Sequence, residues 1–133
     1  MIFGIGCDLV EIARIGKALK RHKDSFIASV LSEEEKEVYE KRAALSTERG
    51  VRYVAGRWAA KEALSKALGT GVRGEVVLRH ISVLNDEQGA PFVKFSGALE
   101  QTVRERNLKF FVSISDTETM SMATVVCERI SHG

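Results

Sequence analysis

An α+β domain, with an antiparallel sheet packed against one long helix, is the fold class that these 133 residues predict. Three observations carry it. A strand-like opening is followed by helical patterns and then by mostly strand-like segments, an order that fits a helix-bearing antiparallel sheet. Residues 47–68 are strong helix formers, and Gly69-Thr70-Gly71 supplies a stop. Asn85-Asp86-Glu87-Gln88-Gly89 forms a turn between two strand-like stretches, which is a hairpin signal. The length is close to the modal size of one domain, so 1–133 is read as a single unit.

Residues 2–10 mix β-branched residues with Gly4 and Gly6, giving a strand to which another backbone can come close. The period then changes. Ile12, Ile15 and Leu19 recur at helical spacing, so 12–21 reads as an amphipathic helix whose other face carries Arg14, Lys17 and Arg21. Ser32 with Glu35 three places on has the capping-box arrangement, and a helix is expected from there to about Ala44. The long helix follows at 47–68. Alternation over 76–84 and the run 91–95 read as the hairpin strands. Ser96 is expected to cap a short helix to about Arg106, and strands follow at 109–115 and 121–128. No internal repeat or low-complexity segment stands out.

Composition narrows the function classes. Twenty Lys and Arg against 18 Asp and Glu leave a net charge of +2, too balanced for a general nucleic-acid binder, so any anion site must be local. The opening is apolar but lacks a basic leader and is stopped by Asp8, and the uncharged stretch 119–127 is too short for a membrane span. Cys7 and Cys127 have no metal-like spacing and read as reduced cytosolic thiols, which places the chain in the cytoplasm. His22, His80 and His132 are scattered, no Gly-x-Ser-x-Gly elbow is present, and hydrolysis by a triad is disfavoured.

The chemistry concentrates on the long helix. Val51, Ala55 and Trp58 form a stripe whose next place is Glu62, so a carboxylate occupies an apolar seat. Lys66 stands one turn later, and the two could be an ordinary surface pair. Alternatively, Asp8 at the end of the glycine-bearing strand could meet Glu62, and two carboxylates could hold one hard divalent cation such as Mg²⁺. Gly69-Thr70-Gly71 is either a left-handed helix stop or a backbone able to approach a phosphate. It is not a P-loop.

Gly4-Ile5-Gly6-Cys7-Asp8-Leu9-Val10-Glu11-Ile12-Ala13-Arg14-Ile15, Arg57-Trp58-Ala59-Ala60-Lys61-Glu62-Ala63 and Lys66-Ala67-Leu68-Gly69-Thr70-Gly71 together resemble the small phosphopantetheinyl transferases of the holo-(acyl-carrier-protein) synthase type. The likeness extends to the hairpin turn 85–91 and to Val112-Ser113-Ile114-Ser115. It implies the fold of that family and transfer of the 4′-phosphopantetheine arm of coenzyme A to a serine of an acyl carrier protein, in support of fatty acid biosynthesis. It further implies Asp8 and Glu62 as Mg²⁺ ligands, with Glu62 also a candidate for taking the serine proton. Lys66 would stabilise the departing phosphate, and Arg57, Lys61, Gly69, Thr70 and Gly71 would belong to the coenzyme A neighbourhood. A basic helix face is most often simply solvated. The family uses this one to meet an acidic carrier, which Arg14, Lys17 and Arg21 match and Asp24 opposes. Homotrimers with sites between subunits are also implied. Trp58 stands where Phe is frequent, and Asp116 where many members place a histidine, so no phosphate-binding role is carried over to Asp116.

Overall fold

A computed structural model describes residues 1–131. The chain runs β1 (Ile2–Glu11), α1 (Ile12–Val30), α2 (Glu33–Leu45), α3 (Thr47–Leu68), a turn of 3-10 helix (Leu78–His80), β2 (Ile81–Asn85), β3 (Pro91–Phe95), α4 (Gly97–Glu105), β4 (Leu108–Asp116) and β5 (Met120–Arg129). β1, β5 and β4 form an antiparallel sheet in that order, and β2 and β3 form a separate hairpin. The expected α+β class holds.

α3 lies across one face of the three-stranded sheet and makes the centre of the core. Val54, Ala55, Ala59, Ala60, Ala63 and Leu64 are wholly buried against Ala123, Val125 and Cys127 of β5. Small residues on the helix let it settle close to the sheet. The approach is tightest at β1, where a Cβ on Gly6 would fall 1.9 Å from the Ala63 carbonyl oxygen and one on Gly4 would fall 2.0 Å from that of Ala67. No side chain fits there. The expected close-packing role of these glycines is thus met by the helix backbone.

Two capping expectations hold. Ser32 Oγ accepts from the Glu35 amide while Glu35 Oε1 accepts from the Ser32 amide, a complete capping box. Gly69 ends α3 at φ +83°.

Three expectations are corrected. α1 does not stop at Arg21 but runs to Val30 through a break at His22 (φ −141°, ψ 55°). Phe26, Ile27 and Val30 pack into the core beyond the break, and that anchoring, absent from the regular spacing of 12–19, holds the second half helical. The strand expected at 76–84 is ordered as strand only from Ile81. β3 has five residues, Ile81 pairs with its last, Phe95, and the Ser96 amide closes on the His80 carbonyl, so earlier residues have no partner strand. Ser96 sits at the N-cap of α4 but its side chain makes no capping hydrogen bond. Among the described residues no helix is long and apolar enough to cross a membrane. His132 lies outside the described residues.

Candidate active site at the crossing of the first strand and the long helix

The glycines of β1 set where Asp8 falls. Side chains alternate along a strand, so Gly4, Gly6 and Asp8 share the face turned toward α3. Each glycine sits against one turn of that helix, at Ala67 and Ala63, and Asp8 arrives next to the turn that carries Glu62 and Lys66.

Lys66 Nζ donates to Asp8 Oδ1 at 2.8 Å and to the Cys7 carbonyl at 3.1 Å. The pair joins Lys66 to the strand rather than to Glu62, so the surface-pair reading of Glu62 and Lys66 gives way. Asp8 Oδ2 is buried and has no hydrogen-bond partner. An orphaned carboxylate oxygen in such a place marks a seat for a donor or a cation. Partial burial and the negative charge of Asp8 push the Glu62 carboxyl above its ordinary range, with Lys66 opposing. The hydrogen bond and charge of Asp8, with the charge of Glu62, hold the Lys66 ammonium above its own ordinary range. Two carboxylates and one ammonium thus converge from two elements 54 residues apart, counting from Asp8 to Glu62.

Other expected residues fall elsewhere. Lys61 lies on the opposite side of α3 from solvent, with no exposure, donating to Glu35 Oε1 and to the Val30 carbonyl at 2.5 Å each. Glu35 Oε2 accepts from the Val83 amide at 2.8 Å. Lys61 therefore ties α3 to α1, α2 and β2 and presents no atom to a ligand at the surface, which corrects its assignment to the coenzyme neighbourhood. Burial lowers its ammonium pKa to about 8, with Glu35 opposing the shift.

Arg57 is almost as deep, donating to the Val83 carbonyl at 3.0 Å and to Asn85 Oδ1 at 2.5 Å, and it fastens the hairpin to α3. The amides of Gly69, Thr70 and Gly71 are engaged by the Lys66 and Ser65 carbonyls, so the turn offers open surface but no free amide of these three. Arg14, Lys17 and Arg21 are exposed on the outer face of α1, opposite the buried Ile12, Ile15 and Leu19.

A second feature escaped the motif reading. Arg42, Arg49, Arg52, Tyr53, Arg57 and Asp116 line a hollow of about 400 Å³ at the other end of α3. The guanidiniums of Arg42 and Arg57 lie over the Tyr53 ring at 5.4 and 4.4 Å, and the buried Tyr53 hydroxyl has no partner. Asp116 faces Arg52 at 3.6 Å, and Arg52 also donates to the Thr117 and Glu118 carbonyls, so this acid belongs to a clamp on the β4–β5 turn. Arg42, Arg49 and Arg52 carried no local motif. Their spacing along two helices was the only signal.

Residues 4–125 match the family model of the 4′-phosphopantetheinyl transferase superfamily. The chain belongs to that superfamily. Among this transferase's relatives, a holo-[acyl-carrier-protein] synthase of Herminiimonas arsenicoxydans is 44% identical over 97% of this chain and 99% of its own length. One of Enterococcus faecalis is 47% identical over 96% of this chain and 98% of its own length. The crystal structure of the Neisseria meningitidis synthase superposes on the transferase with a TM-score of 0.88 at 36% identity, covering 96% of this chain and 99% of that one. The Bacillus anthracis synthase in complex with CoA (3′,5′-ADP) gives 0.81 at 38% identity, covering 98% and 99%.

Proposed function

We propose that this chain transfers the 4′-phosphopantetheine group of coenzyme A to a serine of an apo-acyl carrier protein, in support of fatty acid biosynthesis. The observation that carries the reading is the convergence of Asp8, Glu62 and Lys66 at one crossing in a chain of this family. The serine oxygen forms a bond to the phosphorus that bears the pantetheine arm. The bond from that phosphorus to the bridging oxygen breaks, and adenosine 3′,5′-bisphosphate leaves with the electron pair.

The donor set suits one Mg²⁺, since the carboxylates of Asp8 and Glu62 are hard oxygen ligands, Asp8 Oδ2 is orphaned, and this ion usually takes one or two protein carboxylates. When bound, the ion supplies neutralisation of charge on the phosphate oxygens. Glu62 takes the proton of the serine hydroxyl. Lys66 places an ammonium beside the charge left on the departing phosphate. Arg14, Lys17 and Arg21 meet the acidic surface of the carrier and mainly quicken encounter. The open turn at Gly69, Thr70 and Gly71 and the exposed part of the Arg57 hollow serve the coenzyme.

Along α3, Arg49 and Glu62 are 13 residues apart, about 20 Å at the helical rise. A homotrimer with sites between subunits brings one subunit's arginine hollow toward another's acids. The sheet face away from α3 supports assembly, because Ile5, Leu9, Phe111 and Met122 lie exposed on it where a solvated sheet would be polar. The free thiols of Cys7 and Cys127 fit a cytoplasmic setting.

Incubation with coenzyme A, Mg²⁺ and an apo-carrier, followed by mass spectrometry of the carrier, tests the proposal. The carrier should gain one phosphopantetheine, and chelation of the metal should abolish the gain. A carrier that keeps its apo mass, while both substrates bind, would make the chain a binding module instead.

A further inference from the structure

α1 and α2 both lie against α3 but scarcely touch each other, which leaves a trough between them. Val51 and Thr47 of α3 form its floor, and Leu19, Tyr39 and Ala43 form its walls. Gly16 keeps it open: a Cβ there would already meet Val51 Cγ1 at 3.6 Å, and any longer side chain would enter the space. The trough encloses about 500 Å³, within the range of small-ligand sites.

Its charge is one-signed. The exposed Lys20 and Lys23 stand at the rim, no carboxylate lines the trough, and neither lysine is in an ion pair among the described residues. Past Tyr39 and Lys23 the groove continues into a smaller hollow where Asp24, Lys36 and Glu40 mix both signs, so the apolar stretch ends there. A volume of about 500 Å³ is that of a small-ligand site and suits one hydrocarbon chain better than a protein helix, which is about 10–12 Å across with its side chains.

We propose that the trough binds the anion of a medium-chain fatty acid, its chain along Leu19, Ala43 and Val51 and its carboxylate between Lys20 and Lys23. Apolar walls supply the affinity and the two ammonium groups orient the head. The site lies on other side chains than Asp8, Glu62 and Lys66, and it stands whether or not the proposed transfer occurs.

Nuclear magnetic resonance titration of the isotope-labelled full chain with decanoate tests this without reference to activity. Amide shifts should saturate and centre on Gly16, Lys20, Lys23 and Val51. The double variant Lys20→Glu/Lys23→Glu should weaken binding about tenfold or more, as loss of charged hydrogen bonds does. Decan-1-ol should bind similarly weakly to the unaltered protein, and Gly16→Leu, folded by the same spectra, should remove the saturable shifts. Shifts that do not saturate, or that centre on the exposed sheet face, would overturn the site. Equal binding of decanol and decanoate, or a double variant that binds decanoate unchanged, would overturn the carboxylate assignment.

Discussion

Lys61 and Glu35 form an ion pair with no exposure on either side, in which the acid also accepts from the Ser32 and Val83 amides. Burying two charges is costly, and what makes the pair tolerable is that the carboxylate is saturated by donors. Lys61→Met leaves Glu35 charged and unpaired in the interior. It should cost about 3–5 kcal/mol in denaturant unfolding. Lys61→Met with Glu35→Gln removes both charges, and should be milder than the single change although the glutamine oxygen can accept from only one of the two amides. A double variant as unstable as the single one would show that the unpaired charge of Glu35 is not the main cost of losing Lys61. Glu62 poses the opposite case, a half-buried carboxylate near another carboxylate. Glu62→Gln keeps the size and removes the charge, and should weaken the apparent Mg²⁺ affinity in the transfer assay about tenfold or more. Unchanged rates at limiting Mg²⁺ would remove Glu62 from the reaction. Lys61 and Glu62 are neighbours in the chain and look alike as charged residues in a helical run. Only their angular places on α3 separate a buried structural charge from one at the candidate site.

At the scale of elements, the site depends on how near β1 lies to α3. Gly6→Ala would put a methyl group 1.9 Å from the Ala63 carbonyl oxygen, so strand and helix must part. The expected cost is about 1–3 kcal/mol of stability, together with a raised Mg²⁺ requirement because Asp8 moves with the strand. Denaturation and a metal titration on the same sample measure both, and an unaltered metal requirement in a destabilised variant would uncouple the glycines from the site. α1 carries the proposed carrier-binding residues on its outer face. Arg14→Glu should raise the KM for the carrier about tenfold and leave that for coenzyme A unchanged, and raising salt should affect the unaltered enzyme more than the variant. Equal losses for both substrates would point to misfolding. Most elements were legible from local patterns: the capping box at Ser32, the stop at Gly69 and the turn at 85–89 act within a few residues. The second half of α1 and the 3-10 turn at Leu78–His80 were not. Phe26, Ile27 and Val30 are held by the core, and the length of β2 is set by the five residues of its partner.

At the scale of the molecule, one face of the β1-β5-β4 sheet is covered by α3 and the other presents Ile5, Leu9, Phe111 and Met122. For the proposed homotrimer, Phe111→Glu on that face should leave the chain folded by circular dichroism, yield monomers in analytical ultracentrifugation, and abolish transfer. A trimer that persists, or a monomer with full activity, would detach the exposed face from assembly or assembly from function. The candidate site itself was partly legible. Asp8, Glu62 and Lys66 were reachable because each lies in a short motif of unusual residues. Arg42, Arg49 and Arg52 were not, since nothing nearby in the chain distinguishes them from solvated surface charges. By itself the sequence determined the class of fold and the ends of α2 and α3, because capping, turn formation and side-chain period depend on neighbours a few positions away, and it offered Asp8, Glu62 and Lys66 as candidates through the motifs that resemble the family. Only the tertiary structure decided that Lys66 pairs with Asp8, that Lys61 is buried, and that the arginines share one hollow. Those facts are set by distances between residues far apart in the chain, which exist only once β1 and the three helices have closed around the core.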